Sequence, residues 1–159
     1  MTIRKANKAD IDVLVDLLRN SFRDVAERFG ITEENNPRSL AFCTNERIES
    51  DMEKDLTYYI LEKDGQPCGC VALERAKPGV CYLMRLAVLP EHRGKGYGKM
   101  LVQHIFEKAH IIGSRRVEIA MISKDTKLKK WYKKLGFIQK GTKKYDHLPF
   151  IVAFMFREL

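Results

Sequence analysis

Hydrophobic residues along the chain follow two spacings, one typical of helices and one typical of strands. In the segment 7–28, apolar residues recur every three or four positions, as on one face of an α-helix (Ile11, Leu14, Val15, Leu18, Phe22 and Val25). Shorter apolar runs bounded by Gly, Pro and Asp indicate strands. The predicted elements are strand 2–6, helix 7–28, helix 46–55, strands 57–63, 67–75 and 80–89, helix 97–112, strand 116–122, helix 125–135, and strands 137–143 and 150–156.

This order, β-α-α-β-β-β-α-β-α-β-β, predicts an α/β (α+β) protein with a mixed sheet that carries helices on both sides. Asp64-Gly65, between two alternating apolar runs, is a strong signal for a tight β-hairpin. The short strand 2–6 is expected at an edge of the sheet. No linker, repeat or low-complexity tract interrupts the pattern, so residues 1–159 are predicted to form a single domain.

A Gly-rich basic turn joins strand 80–89 to the helix that begins at Tyr97. Pro90 ends the strand, because proline cannot donate to a ladder, and the segment 91–99 then holds glycines at 94, 96 and 98 among cations. Backbone without side chains lets N–H groups converge on an anion, and the first turn of a helix offers unpaired amides and a favourable dipole. The segment is therefore predicted to hold a phosphate group.

The spacing of these glycines excludes the two common nucleotide motifs. A dinucleotide fingerprint would need a third glycine at position 99, which is Lys. A P-loop needs four residues between its glycines, whereas Gly94 and Gly98 are separated by three, and Lys99 is followed by Met100. Taken alone, the segment could still be a Gly-rich turn with solvated cations.

Composition narrows the class of protein. With 45% hydrophobic and 31% charged residues, the 159-residue chain is expected to be globular and able to bury a core. No apolar run approaches the ~20 residues that cross a membrane, and the first residues lack an apolar signal core, so we expect a cytoplasmic protein. The four cysteines are expected as reduced thiols, and Cys68-Gly69-Cys70 is too tight for a zinc half-site, so no metal is predicted.

The net charge of +8 is unevenly distributed. Residues 1–60 carry nine Lys/Arg and twelve Asp/Glu (−3), and residues 61–159 carry twenty and nine (+11). The basic part suits a polyanionic ligand, and the acidic part suggests a cationic acceptor. The lysines of 127–134 are interpreted first as a solvated helix face and second as part of the field around a ligand phosphate. Nucleic-acid binding ranks third, because no recognition motif accompanies them.

A second motif spans 131–137, Trp-Tyr-Lys-Lys-Leu-Gly-Phe, where a helix ends at Gly136 and the next strand begins. The pattern Arg93-x-x-Gly96-x-Gly98 resembles the pyrophosphate loop of the GCN5-related N-acetyltransferase (GNAT) superfamily. Residues 131–137 are similar to the aromatic-Tyr-x-x-x-Gly-Phe element of the same family. Because both motifs occur in the family's order within a matching string of elements, the chain is identified as a member of that superfamily.

The resemblance implies a mixed, mostly antiparallel sheet and a set of site residues. Tyr132 would protonate the departing coenzyme A thiolate, although by itself it also fits an ordinary core tyrosine. The backbone of three strand residues would pair with the pantetheine arm, and the Val88 N–H would stabilise the oxyanion. These strand residues are Leu86, Ala87 and Val88, and the residues expected around the pyrophosphate are Arg93, Gly94, Lys95, Gly96, Tyr97, Gly98 and Lys99.

The implied activity is acetyl transfer from acetyl-CoA to a primary amine of a small molecule or peptide. A non-catalytic module that binds coenzyme A or an acidic partner is the alternative, and a homodimer is left open. The base that deprotonates the amine is left open among Glu74, Glu118 and water. Ala120 and Asp125 depart from the pattern of the ribosomal-protein acetylases, which makes that substrate doubtful. Residues 29–47 and 144–150 are expected to shape the acceptor site.

Overall fold

The computed structural model describes residues 1–159 and has the predicted order of elements. Its helices are α1 (Ile11–Arg28), α2 (Asn45–Glu53), α3 (Tyr97–Ile111) and α4 (Thr126–Lys134). Its strands are β1 (Thr2–Lys5), β2 (Leu56–Lys63), β3 (Gln66–Lys77), β4 (Val80–Val88), β5 (Arg116–Ile122), β6 (Ile138–Lys144) and β7 (Ile151–Glu158). Short 3₁₀ turns occupy Lys8–Asp10, Leu40–Phe42 and Pro90–His92. No helix is both long enough and apolar enough to span a bilayer.

The seven strands form one sheet in the order β1-β2-β3-β4-β5-β7-β6. Every neighbouring pair is antiparallel except β4 and β5, which confirms the mixed, mostly antiparallel sheet. β1 lies at an edge, as predicted. The β2–β3 hairpin turns at Asp64 and Gly65, whose φ angles of 52° and 77° are those of a tight hairpin turn.

The parallel pair β4–β5 is short. Pairing covers only three positions, from Val80 with Arg116 to Tyr82 with Glu118. Beyond Tyr82, β4 stays paired with β3 as far as Val88, while β5 pairs with β7 along its whole length. The two central strands therefore diverge and leave an opening between them toward the end of β4.

A β-bulge lies on β4 where the opening widens. The register with β3 shifts between Cys70 and Ala72, and Arg85 takes a left-handed conformation with φ 57°. The Arg85 guanidinium lies 3.3 Å from the Asp51 carboxylate and donates from Nε to the Tyr58 hydroxyl at 3.3 Å. The bulge residue is thus held by an ion pair to α2.

Helices cover both faces of the sheet, as predicted. On one face, α3 and α4 close a core of 19 buried residues that includes Leu101, Ile105 and Tyr132. On the other face, α1 and α2 close a core of 13 buried residues that includes Leu14 and Ile48. Side chains at the end of β4 divide between them, with Val88 on the α3 side and Ala87 on the α1 side.

The junction of β1 with α1 is held by one carboxylate. Asn7 and Asp10 form a capping box at the turn that precedes α1. The Asp10 carboxylate also accepts two hydrogen bonds from Arg4, at 2.8 and 2.9 Å. These bonds hold the pKa of the Asp10 carboxyl below its ordinary value, although burial acts in the opposite direction.

We expect Asp10→Asn to destabilise the fold in a pH-dependent way. Because the folded-state pKa is lowered, the carboxylate stabilises the fold above the ordinary aspartate pKa of about 3.9 and loses this effect as pH falls through the lowered value. Chemical denaturation should therefore show a clear deficit at pH 7 that shrinks toward pH 3. Asp16→Asn, at an exposed position of α1, should show no such trend. A deficit independent of pH would contradict the assignment.

Candidate active site

The turn between β4 and α3 has the conformation expected of an anion-binding loop. α3 begins at Tyr97, as predicted, and Gly96 precedes it in a left-handed conformation with φ 84°. Gly94 also has a positive φ, 77°. A Cβ at either glycine would meet no atom within 4 Å, so the space above both positions is open.

The amide groups of residues 94–99 donate no hydrogen bond within the protein. The first backbone bond of α3 runs from Met100 N–H to the Gly96 carbonyl, at 3.1 Å, and no side chain caps the helix. Lys95 and Lys99 are exposed and form no ion pair. Unpaired amides at a helix N-terminus, with free cations beside them, are suited to a phosphate group.

Gly98 has a different reason to lack a side chain. A Cβ at this position would lie 3.1 Å from the Trp131 ring, which is tighter than packing normally allows. Gly98 thus lets the first turn of α3 pack directly against α4. The close contact joins the glycine loop to the 131–137 motif.

Two of the predicted loop residues direct their side chains away from the open space. The Tyr97 side chain is buried in the core under α3, so only its amide faces outward. Arg93 donates from Nε to the Val88 carbonyl (3.1 Å) and from Nη2 to the Ser21 carbonyl (2.7 Å), and it pairs with Asp24 at 2.9 Å. Arg93 therefore ties β4 to α1.

The backbone at the end of β4 faces the opening. Leu89 N–H donates to the Cys68 carbonyl at 2.9 Å, which places the Leu89 amide on the β3 side. Because backbone groups alternate along a strand, the Val88 N–H is directed to the opposite side, where β5 has diverged. A molecule in the opening can therefore pair with the Val88 amide.

Tyr132 is buried in the core on the α3 and α4 side of the sheet, against which Val88 also packs. Its ring packs edge-on against Trp131 and Phe137, with centroids 5.0 and 5.3 Å away. Burial and then the charge of Asp125, which caps α4, raise the pKa of the Tyr132 hydroxyl above its ordinary value. The hydroxyl is therefore protonated at neutral pH and can donate a hydrogen bond or a proton.

The two candidate base residues lie at the closed end of the opening. Glu74 pairs across the sheet with Tyr82 on one side, and Glu118 pairs with Tyr82 on the other. Glu118 is buried and contacts Lys140 at 2.9 Å and Arg116 at 3.6 Å. Tyr82 is six residues from Val88, roughly 20 Å of strand, so neither carboxylate adjoins the Val88 amide.

Comparison with protein families decides the assignment. Residues 54–139 match the model of the acetyltransferase (GNAT) domain, which is more than half of the chain. The chain belongs to the GNAT family. The match covers the glycine loop and Tyr132, on which the two sequence motifs lie, and also the diverging strands.

Curated relatives of this GNAT chain include larger proteins. An amino-acid acetyltransferase of Neisseria meningitidis serogroup A is 31% identical over 150 residues, which cover 94% of this chain and 29% of the relative. An uncharacterized N-acetyltransferase of Schizosaccharomyces pombe is 33% identical over 89 residues, covering 55% of this chain and 53% of the relative. The chain thus spans less than a third of the length of the Neisseria protein.

Solved GNAT structures share the fold. The PaiA N-acetyltransferase of Thermoplasma acidophilum, in complex with coenzyme A, has a TM-score of 0.77 at 21% identity, with 99% of this chain and 98% of that one covered. The N-acetylglutamate synthase of Neisseria gonorrhoeae, complexed with coenzyme A and N-acetyl-glutamate, has a TM-score of 0.70 at 26% identity. It covers 99% of this chain and 35% of the synthase chain.

We expect the side chain of Arg93 to contribute to the stability of this GNAT fold. Arg93→Gln removes its charged bonds to two carbonyls and Asp24, which should lower the free energy of unfolding by about 1–2 kcal/mol. Lys95→Gln, two residues away and fully solvated, should change it by less than about 0.5 kcal/mol. Urea denaturation measures both, and equal effects would mean that the Arg93 contacts do not persist in solution.

Proposed function

We propose that this GNAT protein is an acetyl-CoA-dependent N-acetyltransferase that acts on a primary amine. The observation that carries the proposal is the set of unpaired amides of residues 94–99, which follow β4 where it has diverged from β5 and are joined to Tyr132 through the Gly98–Trp131 contact. The relatives named as amino-acid acetyltransferases and the fold neighbours bound to coenzyme A support it. We also propose that residues 1–159 act as one domain.

The loop would bind the pyrophosphate of acetyl-CoA through the amides of Gly94, Lys95, Gly96, Tyr97, Gly98 and Lys99. Lys95 and Lys99 would add charge, whereas Arg93 would position the loop through its contacts with Val88 and α1. The backbone of Leu86, Ala87 and Val88 would hold the pantetheine arm, with Val88 offering its free N–H, since its carbonyl accepts from Arg93. The thioester would then lie in the opening.

The proposed transfer needs a neutral amine, an oxyanion donor and an acid. The amine nitrogen attacks the thioester carbonyl from the face of α1 and α2, and the Val88 N–H donates to the developing oxyanion. When the C–S bond breaks, the Tyr132 hydroxyl gives its proton to the thiolate. The amine loses its proton to water, and solvent returns a proton to Tyr132. Glu74 and Glu118 do not take the proton, because they are at the closed end of the opening and Glu118 is ion-paired.

We further propose a cytoplasmic location. All four cysteines are buried, free thiols, which suits a reducing compartment. The lysines of α4 are interpreted as a solvated face that contributes to the field around the coenzyme's phosphates. We therefore expect no sequence-selective binding of nucleic acid.

Gly96→Val should abolish or greatly weaken the binding of acetyl-CoA. A β-branched side chain would occupy the open space in which the phosphates must approach the amides. Gly113→Val is the matched control, since Gly113 has φ 82° and open surroundings at the other end of α3. Both variants incur about 1–2 kcal/mol of backbone strain, so calorimetry on folded protein isolates the loop effect. Unchanged affinity in Gly96→Val would refute the assignment.

Tyr132→Phe should slow turnover by about 10²- to 10⁴-fold while affinity for acetyl-CoA changes little. The substitution removes only the hydroxyl and keeps the aromatic packing. Tyr59→Phe, a buried tyrosine on β2 away from the opening, is the control and should retain full activity. If Tyr132→Phe turns over within about twofold of the parent on a good acceptor, Tyr132 is a core residue.

The acceptor is to be identified by a thiol-release assay with acetyl-CoA. Amino acids, polyamines, aminoglycosides and peptides cover the main classes of primary amine. Release of coenzyme A that depends on one class of amine supports the enzyme. Tight binding of acetyl-CoA without release for any amine supports the non-catalytic module.

A further inference from the structure

Arginines gather on the face of the sheet opposite α3 and α4. Arg19 of α1, Arg47 of α2 and Arg85 of β4 surround Cys43, and Arg38 lies close to Arg47. Arg19 reaches the Cys43 carbonyl at 3.4 Å. The only carboxylate that pairs with any of these arginines is Asp51, which is bound to Arg85. The cluster therefore carries uncompensated positive charge.

Arg47 is the arginine of this cluster that has a buried nitrogen without a hydrogen-bond partner and no carboxylate beside it. Its Nη1 donates to the carbonyl of Arg38, but its Nε is buried and has no acceptor. No carboxylate lies within 4 Å, although α2 carries three acidic residues besides Asp51 (Glu46, Glu49 and Glu53). Burial and then the charges of Arg85 and Arg38 lower the pKa of Arg47, which indicates a cation held without a counter-ion.

The accessible part of this guanidinium suits a carboxylate oxygen. With Nη1 occupied by the Arg38 carbonyl and Nε buried, the second terminal nitrogen has no partner and is the group that a ligand oxygen can reach. A charged N–H donor pairs strongly with a carboxylate oxygen. A charged donor without a partner in a partly desolvated site costs free energy that such an oxygen would recover.

One arginine of the cluster, Arg85, lies on the strand that leads to the proposed reaction centre. Arg85 belongs to the β4 bulge and is three residues from Val88, about 10 Å along the strand. It faces α2 and therefore lies on the face from which the amine would approach. An acceptor held by Arg47 would thus have its amine near the opening.

We propose that Arg47 binds a carboxylate of the acceptor, and that the acceptor is an amino acid or another carboxylate-bearing amine. The inference rests on the proposed function and specifies its substrate class. A polyamine or an aminoglycoside would bring further positive charge against these arginines and is disfavoured.

The test compares amino acids with their carboxamides in the thiol-release assay at pH 8. The carboxamide keeps the amine, which is the more fully deprotonated of the two, but lacks the charged carboxylate. We expect kcat/KM to favour at least one amino acid over its carboxamide by about 10- to 100-fold. Arg47→Gln should remove this preference by raising KM for the acid and leave the carboxamide unchanged. Arg47→Lys should restore part of the preference for the acid, since lysine keeps the positive charge but lacks the planar guanidinium.

The controls separate this proposal from a structural effect and from the proposed function. Arg75→Gln, at an exposed position on β3, should behave as the parent. Calorimetry of the amino acids and carboxamides with the coenzyme A-loaded protein decides the Arg47 proposal even if no amine turns over. Equal use or binding of acid and carboxamide by the parent overturns it, as does an equal loss for both in Arg47→Gln. Stronger use of O-phosphoethanolamine than of any amino acid would make the cluster a phosphate site and also overturn it.

Discussion

β4 has two neighbouring strands, β3 and β5, and the point at which it leaves β5 sets the geometry of the site. It pairs with β5 over three residues and with β3 over its whole length, and the bulge at Arg85 changes its direction between these regions. Because Arg85 is half of an ion pair with Asp51, the bulge is anchored to α2. The divergence from β5 frees the N–H of Val88, on which the proposed oxyanion donor and pantetheine contacts both depend.

α1 contacts both the residue that heads the glycine loop and the residue that caps α4. Near its end, Ser21 and Asp24 bind Arg93 of the glycine loop, and Arg28 approaches the Asp125 cap of α4 at 3.8 Å. α1 is thus coupled to both elements proposed to hold acetyl-CoA.

The two sequence motifs form one physical unit. Gly98 at the start of α3 lies against Trp131 of α4, and Trp131 packs on Tyr132. The close approach at Gly98 thereby links the first turn of α3 to the helix that carries Tyr132. In the proposed reaction, the phosphate contacts and the proton donor would be positioned by the same close contact.

Local sequence patterns were enough to predict the order of the helices and strands and the position of the glycine loop. The start of α3 at Tyr97 and the turn at Asp64-Gly65 were predictable because proline, glycine and apolar spacing act over a few residues. The partners of Arg93 and the isolation of Arg47 were not, since they depend on residues of α1, β4 and the 38–47 segment that only folding brings together. The net charge of a segment does not identify the acceptor for the same reason, because a sum over sequence does not say which side chains face one another.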